Sequence, residues 1–279
     1  MSEIYDLHSH SNASDGALSP TELVLRAKQQ GVAALALTDH DTTAGLPEAR
    51  QAAEAAGIRL IPGIELSASF ENHCLHIVGL NIDPDHPALV DGVARQQHIR
   101  DQRAQKIAEK LAKKGISDAY SVLSRMVGNG EITRLHFADF LVNQGYVETQ
   151  QDAFDRYLSK GKPGYVPTTW AGLADCIAWI TAAGGVAVLA HPLRYKLSTK
   201  WINKVLIAFK AAGGQGIEVV TGRASVDDIR LSYLHATKHK LYASVGSDFH
   251  APGNQWLELG RLAALPDGAP PIWQLFQAG

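Results

Sequence analysis

Short apolar runs alternate with longer amphipathic stretches along most of the chain, a pattern that predicts strands followed by helices. The clearest helix start lies at Ser19, Pro20 and Glu22, which supply a capping serine, a proline at the first helical position and an acidic residue three positions after the cap. This helix is predicted to end near residue 30, because Gly31 permits a left-handed stop. The next run, 32–37, is short and largely apolar, which predicts a buried strand.

The alternation occupies two blocks of the chain, which together predict about seven strands of a mostly parallel sheet. In the first block, a predicted helix at about 44–56 separates the strand at 32–37 from strands at 58–61 and 74–80. In the second block, predicted helices near 170–183, 200–212 and 225–239 alternate with strands at 186–190, 216–220 and 241–245. The tail, 261–279, is loop-like, with an apolar end that we expect to pack on the body of the protein.

Residues 84–165 interrupt this alternation with helical periodicity and almost no strand pattern. The sequence predicts one long polar helix at 87–114 and shorter helices near 133–144 and 150–158. We therefore predict an α/β domain built from residues 1–83 and 166–279, into which residues 84–165 are inserted as a helical cap.

The composition narrows the class of protein and its surroundings. The chain has 279 residues, 46% hydrophobic and 19% charged, as is typical of a globular protein. A net charge of −2 argues against long double-stranded nucleic acid as a partner. No apolar run reaches the roughly 20 residues of a membrane span, and the first residues do not resemble a signal peptide. Two cysteines exclude a disulfide framework, so we expect a cytoplasmic enzyme.

Metal-binding residue types lie in or just after most of the predicted strands. His8 and His10 share one face of a strand because alternate residues point the same way. Parallel barrels and open α/β sheets form their sites at the carboxyl ends of strands, where ordinary turns favour glycine, asparagine, serine and proline over histidine. The candidate ligands are His8, His10, Asp15, His40, Glu65, His76, His191, Asp248 and His250. Nine nitrogen and oxygen donors without a thiolate predict two to three divalent ions.

Four short motifs in this order resemble those of the PHP (polymerase and histidinol phosphatase) family. They are H-S-H at 8–10, T-D-H at 38–40, H-P at 191–192 and G-S-D-F-H at 246–250. The resemblance implies a distorted, amidohydrolase-like (β/α)7 barrel with a trinuclear metal centre. The stretches 8–16, 41–43, 132–136 and 161–166 further resemble the branch of nucleoside 3',5'-bisphosphate phosphatases and 5'-3' exoribonucleases.

The resemblance also implies how the ligands divide among the ions. The sets are His8, His10, Glu65 and Asp248 for one ion, Glu65, His76 and His191 for a second, and Asp15, His40 and His250 for a third. Manganese is the expected metal, with zinc, iron or magnesium as alternatives. Asp39 is expected to accept a hydrogen bond from a ligand histidine.

The function predicted for such a site is hydrolysis of a phosphomonoester of a nucleoside 3',5'-bisphosphate, such as 3'-phosphoadenosine 5'-phosphate. The products are the nucleoside 5'-monophosphate and phosphate, and the nucleophile is a hydroxide that bridges the metal ions. The predicted catalytic residues are Asp248 together with His191 and His136, either of which is a candidate proton donor to the leaving oxygen. The predicted substrate contacts are Arg134, His136, Lys160, Lys162, Arg194 and Arg223.

Several alternatives stay open from the sequence. Arg134 is also suited to an ion pair with Glu131. Lys160 and Lys162 are equally suited to solvated positions in a loop. Glu218 is suited either to the barrel interior or to a substrate contact. The basic face of helix 87–114 is expected to be solvated. An exoribonuclease on short 5'-phosphorylated RNA would need an open groove with stacking aromatics, for which the candidates are Trp170, Trp201, Tyr165 and Tyr195. Histidinol-phosphate hydrolysis and a non-catalytic PHP module are further alternatives.

Overall fold

Eight strands form one mixed sheet that curls into a nearly closed barrel in the computed structural model, which describes residues 3–128, 130–253 and 256–276. The strands are β1 (Tyr5–Asp6), β2 (Ala34–Leu37), β3 (Arg59–Phe70), β4 (His73–Leu80), β5 (Ala171–Gly172), β6 (Val186–Leu189), β7 (Gly216–Thr221) and β8 (Tyr242–Gly246). Their order is β1-β2-β3-β4-β6-β7-β8, with β5 beside β3. The Leu7 N–H donates to the Val245 carbonyl at 3.0 Å, which brings the first strand against the last.

The sheet is mostly parallel, as predicted, but β4 runs antiparallel to both of its neighbours. The exception arises because the two residues between β3 and β4 leave room only for a hairpin, and the first of them, Glu71, adopts a φ of 50°. The sequence missed this hairpin because Pro62 and Gly63 suggest a break, whereas β3 continues through them to Phe70. As a result, β3 is twelve residues long.

Nine α-helices surround the strands in the described part of the chain. They are α1 (Pro20–Gln29), α2 (Leu46–Ala56), α3 (Pro87–Ala112), α4 (Ala119–Val127), α5 (Arg134–Asn143), α6 (Gln150–Ala153), α7 (Leu173–Ala182), α8 (Thr199–Ala211) and α9 (Val226–His239). The predicted Ser19–Glu22 capping box opens α1, with the Glu22 N–H donating to Ser19 Oγ at 3.2 Å. The sequence missed α4, because that helix lacks a side-chain cap and buries only Ala119 and Leu123.

Besides a small hydrophobic cluster that includes Leu7, Ile61 and Val188, two larger hydrophobic cores stabilise the described part of the molecule. The larger core packs α1, α2, α7, α8 and α9 around the barrel and includes Leu35, Ile64 and Phe209. The smaller core lies among α3, α4, α5 and the π-helical turn Phe154–Leu158, with Phe137 fully buried in it. Residues 84–165, proposed as a cap, therefore have an apolar centre of their own. None of the helices in residues 3–128, 130–253 and 256–276 is long and apolar enough to span a membrane.

Candidate metal centre

The carboxyl ends of the first and last strands carry His8, His10 and Asp248 to one point. The two imidazoles lie on the same face, with their Nε2 atoms 3.1 Å apart. Asp248 Oδ1 lies 3.2 Å from His10 Nε2 and 3.4 Å from His8 Nε2. Glycine is required at 246, because an added Cβ would lie 2.3 Å from His8 Cβ. The closure of the barrel therefore assembles this group of ligands.

Glu65 lies at the centre of the cluster, fully buried. Its Oε1 lies 3.0 Å from His76 Nδ1, 3.1 Å from His191 Nε2 and 3.3 Å from His8 Nε2. Its Oε2 lies 2.9 Å from His40 Nδ1 and 3.4 Å from His10 Nε2. One carboxylate thus contacts five imidazoles, a geometry suited to bridging two cations.

The β3–β4 hairpin explains how His76 reaches Glu65. His76 pairs with Ser67 across the hairpin, and Ser67 lies two residues after Glu65, so both side chains point to the same face. A parallel bridge between His40 and Glu65 places the exit of β2 alongside.

Asp15 lies on the outer side of the cluster. Its Oδ1 is 3.4 Å from His250 Nε2, and its Oδ2 is 3.8 Å from His40 Nε2. Asp15 is carried by a loop that Asp39 organises, since Asp39 accepts hydrogen bonds of 2.7 Å from the Ser11 N–H, Ser11 Oγ and Ser14 Oγ. The prediction that Asp39 accepts from a ligand histidine is wrong, because among the described residues both of its oxygens accept from these serines and neither accepts from a histidine.

Three groups of described residues could each hold a cation, with one ligand atom per residue and all ligand atoms within 4.8 Å of one another. The groups are His8, His10, Glu65 and Asp248; His10, Asp15, His40 and His250; and His40, Glu65 and His76. The first matches a predicted set, the second adds His10, and the third has His40 in place of His191. The structure brings all nine predicted ligands together, and the assignment of each ligand to an ion stays a prediction.

Unsatisfied polar atoms support the fit to metal ions. His10 Nδ1, His40 Nδ1, His191 Nδ1 and Glu65 Oε2 are buried without a hydrogen bond, since the 2.9 Å approach of His40 Nδ1 to Glu65 Oε2 lacks hydrogen-bond geometry. Burial without a partner costs about 1–3 kcal/mol for each such group. Two or three divalent ions among these nitrogen and carboxylate donors would satisfy Glu65 and draw on the imidazole lone pairs.

The electrostatics of the cluster favour the metal-binding state in only some of its ligands. Nearby carboxylates outweigh the effect of burial and raise the pKa of His8 and His76 well above the usual range and that of His250 to about 9, so a cation would have to displace protons from these three imidazoles. Burial, with His250 and His40 nearby, lowers the pKa of His10 to about 3, so this imidazole is neutral at neutral pH. Burial alone would raise the pKa of Glu65, but the neighbouring histidines, His76 foremost, hold that pKa well below its usual range. Neutral imidazoles and ionised carboxylates are the forms that coordinate cations.

Glu218 fixes the orientation of the cluster from inside the barrel. It accepts a hydrogen bond from His8 Nδ1 at 2.6 Å and another from the His191 N–H at 2.6 Å. With its proton on Nδ1, His8 presents the Nε2 lone pair to the cluster. The sequence left the role of Glu218 open, although an acid within the apolar run of β7 was a signal for an interior position.

Tyr195 also supports the ligands and lies half-buried beside them. Its hydroxyl accepts from the His76 N–H at 2.8 Å and donates to the Ala190 carbonyl at 3.0 Å. Trp201 packs against His73 with the ring centroids 4.8 Å apart. Of the four aromatic residues considered for stacking, Tyr165 and Trp170 line a cavity at the cluster.

Two cavities open on the cluster and share Asp15, Leu135 and His250 as lining residues. The smaller has a volume of about 350 Å³, and its walls include Arg100, Arg103, Arg134, Tyr165 and Trp170. The larger has a volume of about 940 Å³, and its walls include His136, Arg194, Arg223 and Asp248. Arg134 and His136 therefore line different cavities, although the sequence suggested a shared role.

The other predicted substrate contacts differ in their surroundings. Arg194 donates from Nη1 to Asp248 Oδ2, so its charge is already paired next to the metal ligands. Arg223 is exposed at the larger cavity. Lys160 and Lys162 are exposed and line neither cavity, because they belong to a turn in which the Lys162 N–H donates to the Ser159 carbonyl at 2.9 Å.

His136 takes part in the cap of α5. Its Nδ1 accepts from the Thr133 N–H at 3.1 Å, while Thr133 Oγ1 accepts from the Leu135 N–H at 3.2 Å. Burial lowers the pKa of His136, so the ring is neutral at neutral pH and its proton is on Nε2. His136 is therefore prepared to donate a hydrogen bond from Nε2. His191, by contrast, directs Nε2 to Glu65, as a metal ligand would.

The sequence predicted that the basic face of α3 is solvated. The structure shows that this face is partly buried instead. Arg100 is buried and donates hydrogen bonds to Asp41, and Arg103 borders the smaller cavity. The signal for Arg100 was its position in the row Gln96, Arg100 and Ala104, which continues the buried stripe of the helix.

Comparisons with known proteins agree with this geometry. The PHP domain matches residues 6–162. A protein of Haemophilus influenzae named 5'-3' exoribonuclease is 46% identical over 276 residues, which cover 99% of this chain and 100% of the relative. A 3',5'-nucleoside bisphosphate phosphatase of Chromobacterium violaceum is 47% identical over 274 residues, covering 98% and 96%. An amidohydrolase of Chromobacterium violaceum, solved with bound sulfate and no metal, superposes with a TM-score of 0.92 at 47% identity, covering 98% and 95%.

Proposed function

Since this chain belongs to the PHP domain family, we propose that it is a metal-dependent phosphatase acting on nucleoside 3',5'-bisphosphates. The reaction releases the 3'-phosphate and leaves the nucleoside 5'-monophosphate. The relative from Chromobacterium violaceum carries the name of this activity and aligns with 98% of the chain. We further propose manganese as the metal, with zinc, iron or magnesium as alternatives, and a cytoplasmic location, consistent with the unpaired Cys74 and Cys176.

The observation that carries the proposal is the pairing of the ligand cluster with a cationic cavity. Four candidate ligands and two arginines line the 350 Å³ cavity together, namely Asp15, His40, His76, His250, Arg103 and Arg134. Among the described residues, no carboxylate forms an ion pair with either arginine. The volume lies within the roughly 300–1,000 Å³ that is common for small-molecule sites. In a substrate with two phosphates, one phosphate can lie at the ligand cluster and the other at the arginines.

The residues of the chain have separable tasks in this reaction. Divalent ions held by the nine ligands would neutralise phosphate charge and lower the pKa of water toward neutrality. Glu218 keeps the His8 Nε2 lone pair turned to the cluster, and Arg194 holds Asp248 in place. Hydrolysis breaks the bond between phosphorus and the 3' oxygen, which gains a proton as it leaves. A neutral His136 is suited to a hydrogen bond from Nε2 in the larger cavity rather than to strong acid catalysis.

The proposal is tested by phosphate release from adenosine 3',5'-bisphosphate, adenosine 3'-monophosphate and adenosine 5'-monophosphate with the metal-loaded enzyme. We expect kcat/KM for the bisphosphate to exceed that for the 3'-monophosphate by about 100-fold, because charge-assisted hydrogen bonds to a second phosphate are worth roughly 1.5–3 kcal/mol each. The 5'-monophosphate should be nearly inert. Equal rates on all three would remove the case for a second phosphate site.

A second candidate activity is 5'-3' exonucleolysis of short 5'-phosphorylated RNA. The observation that favours it is the 940 Å³ cavity on the other side of Leu135, with Arg194 and Arg223 among its lining residues. A nucleotide downstream of the scissile phosphate has room there. The Haemophilus influenzae relative carries the name of this activity.

The exonuclease candidate is tested with a trinucleotide labelled at its 3' end, prepared with and without a 5'-phosphate. Stepwise shortening of the phosphorylated form, with release of nucleoside 5'-monophosphates, is the expected result. Inertness of both forms, while the bisphosphate is hydrolysed, would restrict the enzyme to mononucleotides.

A further inference from the structure

Helix α3 is fastened to the barrel through Asp41, which follows the ligand His40 and is fully buried. Asp41 Oδ1 accepts from the Ser67 N–H at 2.7 Å and from Gln96 Nε2 at 3.1 Å. Its Oδ2 accepts from Ser67 Oγ at 2.8 Å and from Arg100 Nε at 3.1 Å, with a second donor from Arg100 Nη2. Two side chains of α3 are thereby held at the exit of β2.

Arg103 lies three residues after Arg100 and faces the smaller cavity. Both guanidinium groups lie against Trp170, with Arg100 Cζ 5.1 Å and Arg103 Cζ 5.4 Å from the ring centroid. Arg103 Nε is buried and has no hydrogen-bond partner. Burial, with the nearby charges of Arg134 and Arg100, lowers the pKa of Arg103 to about 9. The cationic form of Arg103 is therefore in an environment that lacks a counter-charge.

We propose that Arg103 is the residue that anchors the second phosphate of the substrate, with Asp41 and Arg100 as the residues that position it. This inference rests on the proposed bisphosphatase function and assigns its specificity to a residue of the inserted cap. The 5'-phosphate is the group that Arg103 binds when the 3'-phosphate lies at the ligand cluster.

Geometry favours Arg103 over Arg134 as the main anchor. Arg134 is exposed at the first turn of α5, with Cζ 5.9 Å from the Phe154 ring centroid. Arg103 is half-buried on a helix that is fixed to the barrel, and its guanidinium lies over the Trp170 ring, 5.4 Å from the centroid. An arginine fork of fixed orientation matches phosphate oxygens in a bidentate manner and loses little freedom on binding.

The test compares Arg103→Met with Arg95→Met, which removes an exposed arginine of the same helix. With the metal-loaded enzymes, we expect Arg103→Met to lower kcat/KM for adenosine 3',5'-bisphosphate by about 100-fold. For adenosine 3'-monophosphate, kcat/KM should change less than about threefold, because this substrate has no second phosphate. Arg103→Lys, which keeps a charge without the planar fork, should lie between the wild type and Arg103→Met. Arg95→Met should match the wild type on both substrates.

A binding measurement separates this inference from the proposed reaction. Calorimetric titration of the loaded proteins with adenosine 5'-monophosphate should give at least about tenfold weaker binding to Arg103→Met, while adenosine binding stays unchanged. Retention of the wild-type preference for the bisphosphate by both Arg103 variants would overturn the role of Arg103 and leave the proposed function standing. An equal fall on both adenosine nucleotide substrates would also overturn it, since that pattern indicates a structural role. Lack of turnover by the wild type would reject the proposed function. In that case the titration would still test whether Arg103 binds a phosphate, because it compares the affinity of the wild type and of Arg103→Met for adenosine 5'-monophosphate.

Asp41→Asn tests the positioning role. We expect KM for the bisphosphate to rise and the affinity for adenosine 5'-monophosphate to fall, because Arg100 would lose its counter-charge and α3 part of its attachment. Rescue of both values by Arg100→Gln in the Asp41→Asn background, by restoring a neutral pair, would support positioning. Unchanged nucleotide binding in Asp41→Asn would overturn it.

Discussion

Glu218 determines which nitrogen of His8 can bind a cation, and its replacement by glutamine tests the construction of the metal centre. In the wild type, the carboxylate accepts from His8 Nδ1 and from the His191 N–H, both at 2.6 Å. Glutamine keeps the shape of the side chain but exchanges one acceptor for a donor. Because the His191 N–H can only donate, the amide oxygen must face it, and the amide N–H must then face His8.

The expected magnitude follows from this conflict. His8 Nδ1 must become an acceptor, which moves the ring proton to Nε2, the atom that points to Glu65 and Asp248. A hydrogen bond to a charged group contributes about 1.5–3 kcal/mol. The groups that orient ligand histidines typically account for about 10–100-fold in metal affinity. We expect Glu218→Gln to weaken Mn²⁺ binding at His8 by 10–100-fold, as estimated from those values, and to lower kcat/KM by a similar factor.

Glu218→Ala is the informative comparison. Alanine leaves a void and two N–H groups without partners, so it should lower the free energy of unfolding more than glutamine does. It imposes no donor on His8, so it should retain more metal than glutamine. The assay is metal content by mass spectrometry after equilibration at limiting free Mn²⁺, together with denaturant unfolding. Wild-type metal content in Glu218→Gln would refute the reasoning.

Four further predictions concern the barrel, the cap and the ions. Gly246→Ala should abolish activity and lower metal content, because the added Cβ would lie 2.3 Å from His8 Cβ. Chelation with EDTA should lower the melting temperature by removing about 3–4 kcal/mol of linkage stabilisation, and added Mn²⁺ should restore it; an unchanged melting temperature would count against a bound metal. Phe137→Ala, in the cap core, should reduce the free energy of unfolding by about 3–5 kcal/mol without changing metal content per folded chain. Burial raises the pKa of Glu131 from 4.5 to about 7. Because the folded protein then binds this proton more tightly than the unfolded chain does, the free energy of unfolding falls as the pH rises from 4.5 through 7. Glu131→Gln should therefore be more stable than the wild type by about 1–2 kcal/mol at pH 8 and equal to it near pH 4, as measured by urea unfolding.

Most of the cluster of candidate ligands and the helix starts could be predicted from the sequence, because both depend on local rules. His8 and His10 share a face since alternate strand residues do, and Ser19 and Thr133 cap helices through contacts within three residues. Parallel strands bring their carboxyl ends to one edge, so residues at those ends were expected to meet. The comparisons and the barrel confirm the PHP family and the α/β barrel fold that the motifs indicated.

Only the tertiary structure decided the partners of the polar groups. Glu218 meets His8 across 210 positions of the chain, and Asp41 meets Arg100 across 59. Neither distance leaves a periodic signal, because the pairing depends on how whole elements pack. For the same reason, the sequence does not distinguish Arg103, which turns inward, from Lys160 and Lys162, which face solvent. A basic residue gives the same local pattern in a buried and in an exposed position. Local sequence therefore determined which strands and helices carry the metal-binding and charged side chains. The closure of the barrel and the packing of α3 against it determined which of these side chains are in contact.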